Sequence, residues 1–186
     1  MHVKEQSNIN LRSWSENDLS LLERLMGDPI MTKHIGGPES PQKIKERLKR
    51  YCNDSKIRMF VIVLQPENTG IGSIGFWEKE WLGQSIWESG WRILPEYQGK
   101  GIATKAILLI IERARAEQKH RFIHAFPSID NAASNIICKK TGFILQKEVD
   151  FEYPPGKFMR SNDWCLDLFA NETINTANAL PTNKVG

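Results

Sequence analysis

Apolar and polar positions along the chain of 186 residues switch between two periods, and the switches mark its elements. Around Ile9 and Leu11 apolar and polar residues alternate, as in a half-buried strand. Ser15-Glu16-Asn17-Asp18 then has the make-up of a capping box, and Leu19, Leu22 and Leu25 follow at helical spacing. Met26-Gly27-Asp28-Pro29 ends that helix, because proline lacks an amide hydrogen and disfavours helical geometry in the residue before it. Ser40-Pro41, an N-cap followed by proline at the first helical position, opens a second helix that runs to about residue 53.

Apart from Arg58, residues 57–64 are β-branched or large and apolar. The turn Pro66-Glu67-Asn68-Thr69-Gly70 closes that run before another covers 71–77, which predicts two antiparallel neighbours. A third strand over 85–94 is broken by Pro95-Glu96-Tyr97. Ala103, Ile107, Ile110, Ile111 and Ala114 then recur as on a helix whose apolar face lies against a sheet. A short strand over 121–126, a helix over 131–141 closed by Gly142, and strands over 143–151 and 164–169 complete the series. The last two strands are separated by a long loop that holds Tyr153-Pro154-Pro155-Gly156. The order βααβββαβαββ predicts an α/β (α+β) fold with a mixed central sheet and helices on both faces. One domain is expected over 8–169, and the small polar residues of 170–186 read as a mobile tail.

Composition narrows the function classes. The apolar share is 40% and the charged share 25%, as in ordinary globular proteins, and no apolar run is long enough to span a bilayer. The opening MHVKEQSNINLR has no apolar core or small-residue cleavage site of a secretory signal, so the expected compartment is the cytoplasm. A net charge of +3, with acids interleaved among the bases, calls for no nucleic-acid partner. The basic run over 43–50 carries Ile44, Leu48, Tyr51 and Cys52 at helical spacing and reads as the solvated face of a helix. Cys52, Cys138 and Cys165 are odd in number and far apart, which predicts neither a disulfide framework nor a metal site.

The chemistry is concentrated in Gln98-Gly99-Lys100-Gly101-Ile102-Ala103-Thr104, between a strand and a strongly amphipathic helix. Glycines remove steric bulk there, and the positive end of the helix dipole stands behind consecutive backbone amides, an arrangement that seats phosphate oxygens. Thr104 adds a hydroxyl, and Lys100 and Lys105 add charge. The chain has no G-x-x-x-x-G-K-[ST], which argues against a nucleotide triphosphatase. Thr104 stands where the third glycine of G-x-G-x-x-G belongs, and the segment follows an antiparallel meander, which argues against a dinucleotide fold. A generic phosphate-binding α/β protein stays open at this point.

Gln98-x-x-Gly101-x-Ala103 resembles the Q/R-x-x-G-x-G/A signature of the GCN5-related N-acetyltransferase (GNAT) superfamily. Asn131-x-x-Ser134 followed by Lys140-Thr141-Gly142-Phe143 looks like the N-x-x-S…K-x-G-F element of its ribosomal-protein branch, the RimJ and RimL type. Leu11-Arg12 with Asp18 downstream is similar to the same branch, so the likeness spans roughly residues 8–169. The resemblance implies acetyl-CoA as donor and a primary amine as acceptor, either a protein N-terminus or a small molecule, attacking the thioester directly. It implies that the strand before the loop is splayed, so that backbone around Ile93 and Leu94 pairs with the pantetheine arm. Gln98 would belong to the loop, and the pyrophosphate would lie on Gly99, Lys100, Gly101, Ile102, Ala103 and Thr104. Asn131 would bond the pantetheine, with Ser134 near the thioester. Relatives of this branch are often monomers or homodimers.

Acetyl transfer to an amine needs a group that takes the amine's proton and one that supplies a proton to the thiolate. Glu88, just before the expected splay, is the candidate base, although a strand glutamate also suits a surface ion pair. His124 is the second candidate, its reference pKa of about 6.5 suiting proton transfer, and Ser134 is a candidate donor. Many relatives carry a tyrosine seven residues after the asparagine, where this chain has Cys138, a residue better suited to packing. Trp87 and Trp91 would share one strand face and could border an acceptor cleft with Trp77 and Trp81, although core packing is the commoner use of tryptophan. The missing tyrosine keeps alternative readings open, among them a non-catalytic acyl-CoA-binding or sensing module.

Overall fold

The computed structural model describes residues 8–170. Apart from Ala170, the proposed mobile tail lies outside the described residues. A seven-stranded sheet with order β1-β2-β3-β4-β5-β7-β6 carries the fold. Strands β1 (Ile9–Ser13), β2 (Ile57–Leu64), β3 (Thr69–Trp81) and β4 (Gln84–Ile93) are antiparallel neighbours. Strand β5 (Phe122–Ala125) runs parallel to β4, and β7 (Phe158–Asp167) and β6 (Ile144–Glu152) close the far side as a hairpin. Helices α1 (Leu19–Met26), α2 (Pro29–Thr32) and α3 (Pro41–Asn53) precede β2. Helix α4 (Ile102–Ala116) links β4 to β5, and α5 (Ala132–Lys140) links β5 to β6.

The mixed sheet and its helices match the expected class, and three local features differ. The proline that ends α1 starts another helix, since Pro29 occupies the first position of α2, where no amide is needed. Asp28 caps that single turn by accepting from Ile30 N and Met31 N at 2.8 and 2.9 Å. Strand β3 continues past residue 77 to Trp81, where Leu82 and Gly83, both at positive φ, turn the chain into β4. The alternating charges of Glu78, Lys79 and Glu80 concealed this extension, because the strand end leaves the core. The expected long loop before the last strand is a tight turn over 153–157, closed by Tyr153 N donating to Lys157 O at 2.8 Å. Strand β7 therefore begins at Phe158, and its polar first half pairs with the largely exposed β6.

Apolar side chains pack on both faces. Ile107, Ile110, Ile111 and Ala114 of α4 meet Ile74, Phe76 and Trp87, while α1 and α3 pack Leu22, Leu25, Ile44 and Leu48 against Met59 and Val61. A third cluster of Ile86, Phe126 and Phe151 lies toward the β6–β7 hairpin. The detail that positions the site is the junction of β4 with β5. They pair only at Trp87↔Ile123 and Glu88↔His124, whereas β4 continues to Ile93 with β3 on its other side. From Ser89 onward one edge of β4 is open, because β5 is a strand of only four residues.

Candidate active site

Helix α4 begins beyond that open edge. Gly101 is its N-cap at φ 76°, and no side chain caps the helix. Gly99 is also left-handed, at φ 72°. The first intrahelical bond of the turn is Lys105 N to Gly101 O at 3.2 Å, so the amides of Ile102, Ala103 and Thr104 have no acceptor within the helix. A Cβ placed on Gly99 or Gly101 would meet nothing within 4 Å, so the space before these amides is open. Among the sequence-predicted residues, Gln98 ties the loop back by donating from Nε2 to Ile93 O at 2.8 Å. Ile93, Leu94 and Ile102 point their side chains into the core and can offer a ligand backbone only. The Leu94 amide donates to Ile71 O at 3.0 Å, on the β3 side of the ladder. Lys100 holds its ammonium 5.5 Å from the Tyr97 ring.

Asn131 caps α5 by accepting from Ser134 N at 3.1 Å through Oδ1, which leaves the amide group of its side chain as a donor. Asn131, Ser134 and Glu88 line one cleft of about 960 Å³, together with Gly90, Trp91 and Arg92 of the splayed strand. Glu88 is 9% exposed. Burial pushes its carboxyl above the ordinary carboxylate range, against the opposing pull of the Lys79 ammonium and the Trp77 indole. Lys79 Nζ lies 3.4 Å from Glu88 Oε2 and 4.7 Å from the centre of the Phe151 ring.

His124 pairs with Glu88 in the ladder but lines a separate depression of about 330 Å³. Its Nδ1 lies 2.6 Å from Oδ1 of the buried Asp163, whose other oxygen accepts from Trp81 Nε1 at 2.9 Å. Glu88 and Ser134 thus share a cavity and His124 stands outside it. Cys138 is fully buried in the core under α4, and burial pushes its thiol up to about 12. Trp87 is likewise core, edge-on to Phe76 with ring centres 4.9 Å apart, whereas Trp77 and Trp91 line the cavity.

The sequence reading missed Arg47. It belongs to the stretch read as a solvated helix face, yet it turns into the cleft. Two hydrogen bonds join it to Glu39, and it donates to Tyr51 Oη at 3.1 Å and to Tyr153 Oη at 3.4 Å. Ile44, Arg47, Leu48 and Tyr51 lie at i, i+3, i+4 and i+7, so helical period alone places this arginine on the buried stripe. Burial pushes the Glu39 carboxyl up, but the Arg47 ion pair and the charges of Arg92 and Arg50 more than offset this and hold it below its usual value.

The acetyltransferase (GNAT) domain family matches residues 8–144. The chain belongs to the GNAT acetyltransferase family. An uncharacterised N-acetyltransferase of Bacillus subtilis (strain 168), YnaD, is 28% identical over 169 residues, covering 88% of this chain and 92% of the relative. The GNAT acetyltransferase of Bacillus anthracis superposes with a TM-score of 0.74 at 20% identity, covering 88% of this chain and 97% of that one. The spermidine N-acetyltransferase of Vibrio cholerae, solved with CoA and spermine, superposes with a TM-score of 0.73 at 19% identity over 86% and 95% of the two chains. As a GNAT acetyltransferase this protein is an acyltransferase with acetyl-CoA as donor. Its geometry suits that donor: uncapped amides at α4 fit phosphate oxygens, and the open β4 edge fits an extended arm carrying amide groups.

Proposed function

We propose that this protein acetylates the primary amine of a peptide or small molecule, and that Glu88 is the base. The carrying observation is that the one cavity holds a desolvated carboxylate, the splayed edge of β4, and the Asn131–Ser134 turn. An amine of pKa about 8 to 10 is mostly protonated at neutral pH and must lose a proton to attack. Bound acetyl-CoA supplies the thioester carbonyl that the amine attacks. Glu88, whose proton affinity burial has raised, takes the ammonium proton directly or through a water. In this reading the amides of Gly99, Lys100, Gly101, Ile102, Ala103 and Thr104 hold the pyrophosphate, with Gln98 fastening their loop. The Asn131 amide steadies the arm and the Ser134 hydroxyl supplies a proton toward the departing sulfur. His124 takes no part in the cavity and acts, through Asp163 and Trp81, on the strands behind it.

The RimJ/RimL-like assignment rests on Asn131-x-x-Ser134, Lys140-x-Gly142-Phe143 and the Arg12–Asp18 pair, whose charged atoms are 2.6 Å apart. No helix among the described residues is long and apolar enough to cross a membrane, and we place the enzyme in the cytoplasm as a single domain over 8–169. Thiol release from acetyl-CoA, followed over a panel of amines, tests the activity. Amine-dependent release that Glu88→Gln suppresses is the expected result. CoA binding without release on any amine would overturn it.

A further inference from the structure

We infer that the acceptor amine carries an anionic group, a carboxylate or phosphate, which Arg92 and Arg50 receive while the amine stands at Glu88. This rests on the acetyl-transfer reading above. Glu88, Gly90 and Arg92 follow one another on the same face of β4, opposite Trp77, Gly75 and Ser73. At about 3.3 Å of rise per residue, the α-carbons of Glu88 and Arg92 stand about 13 Å apart. Gly90 leaves the floor between them bare, and a Cβ there would meet the Trp77 ring at 3.0 Å, so the indole extends across that gap. The cleft therefore presents a carboxylate at one end, a flat aromatic surface in the middle and a guanidinium at the other end.

The charges lining the cavity are unevenly matched. Arg47, Lys79 and Lys119 each have a carboxylate within ion-pair distance, in Glu39, Glu88 and Glu78. Among the described residues, Arg50 and Arg92 have none within 4.0 Å. Both nonetheless act on Glu39, so three guanidiniums from α3 and β4 converge on one carboxylate and leave an excess of positive charge. A planar guanidinium with unused donors takes carboxylate or phosphate through paired hydrogen bonds. A diamine or polyamine would instead set its second ammonium against Arg92 and Arg50, while its first competes with Lys79 for Glu88. Discrimination of this kind separates substrates by repulsion as well as attraction.

Four acceptors with the same six-carbon chain test the inference: 6-aminohexanoate, 6-aminohexyl phosphate, hexylamine and 1,6-diaminohexane. The expected order of kcat/KM places one or both amines with an anionic group first, hexylamine next and the diamine last, with about tenfold or more between extremes. Whichever anionic amine leads identifies the anion. Arg92→Ala raises KM for that acceptor and leaves hexylamine and acetyl-CoA unchanged, and Arg92→Glu favours the diamine. Arg50→Ala, on an exposed helix position, supplies a second variant with little risk to folding. Preference for the diamine overturns the inference, and so does an Arg92→Ala effect confined to KM for acetyl-CoA, which would assign this arginine to the donor. Silence on all four amines sinks the acetyl-transfer reading instead. Calorimetry without donor then decides the inference alone: weaker binding of the diamine than of the anionic amine supports it, and equal affinities refute it.

Discussion

Lys79 Nζ lies 3.4 Å from Glu88 Oε2, so the proposed base is half of an ion pair in a wall that shields it from water. Burial raises the carboxyl and Lys79 lowers it, with burial prevailing. A base works in its unprotonated form, so kcat/KM is expected to climb as pH rises through a value above the ordinary 4.5 of glutamate. Removing the neighbouring cation with Lys79→Met raises the carboxyl further and moves this acid limb to higher pH. Glu88→Gln abolishes the limb and lowers the rate by about 10²- to 10⁴-fold with KM for acetyl-CoA unchanged. A Lys79→Met profile that superimposes on the wild type would remove Glu88 from the mechanism.

Gly101 and Gly83 offer a matched pair. Both are left-handed, at φ 76° and 79°, and a Cβ on either meets no neighbour. Valine at either position costs about 1–2 kcal/mol of backbone strain, so both variants melt earlier by similar amounts. Only Gly101→Val puts a side chain before the α4 amides, and hydrogen bonds to a charged group are worth about 1.5–3 kcal/mol each, so its CoA affinity falls tenfold or more. Calorimetry with CoA checks this. Equal affinities in the two variants would move the pyrophosphate elsewhere.

Asp18 accepts both Arg12 nitrogens at 2.6 and 2.8 Å and also the amide and hydroxyl of Ser15. The bonds from Arg12, more than those from Ser15, hold its carboxyl below the ordinary value of 3.8. A depressed carboxyl contributes stability above its unfolded pKa and loses it as pH falls through the folded value. Asp18→Asn is expected to lower stability at neutral pH by about 1–2 kcal/mol. Once the pH has fallen below the depressed folded value of Asp18, wild type and variant should unfold at nearly the same denaturant midpoint. A difference that persists unchanged there would mean packing, not charge, is what the variant lost.

Cys138 is closed to solvent and its thiol is pushed up to about 12. At pH 8 about one thiol in ten thousand is ionised, so iodoacetamide should leave Cys138 unmodified until the protein unfolds. Mass spectrometry of the native, alkylated protein reads this directly. Rapid native modification at Cys138 would show that the core beneath α4 opens.

Elements with a continuous apolar run or a cap signal were legible from the sequence. Residues 57–64 coincide with β2, and Ser40-Pro41 caps α3 as expected, with Ser40 Oγ accepting from Lys43 N at 3.4 Å. Gly142 closes α5 at φ 90°, with Phe143 N reaching Cys138 O at 3.1 Å. The first half of β7 was hidden because Arg160, Ser161, Asn162 and Asp163 are consecutive polar residues, which leave no apolar trace of period two. At the site, the glycine loop, Asn131 and Ser134 could be read because backbone geometry demands those residue types. Glu39, Arg92 and Asp163 could not, because their meaning comes from partners 8 to 82 residues distant or on other elements. Charge type alone does not separate an arginine bonded to two tyrosines from one in water.

The two ladder pairs between β4 and β5 are where one half of the sheet is fastened to the other. With so few backbone bonds at this boundary, a donor lying along the open edge would act as a splint between the halves. Resistance to unfolding would then depend on how much acetyl-CoA surrounds the protein. An acceptor resting against the same edge would find its wall complete only after the donor had arrived, which implies ordered rather than random addition of the two substrates.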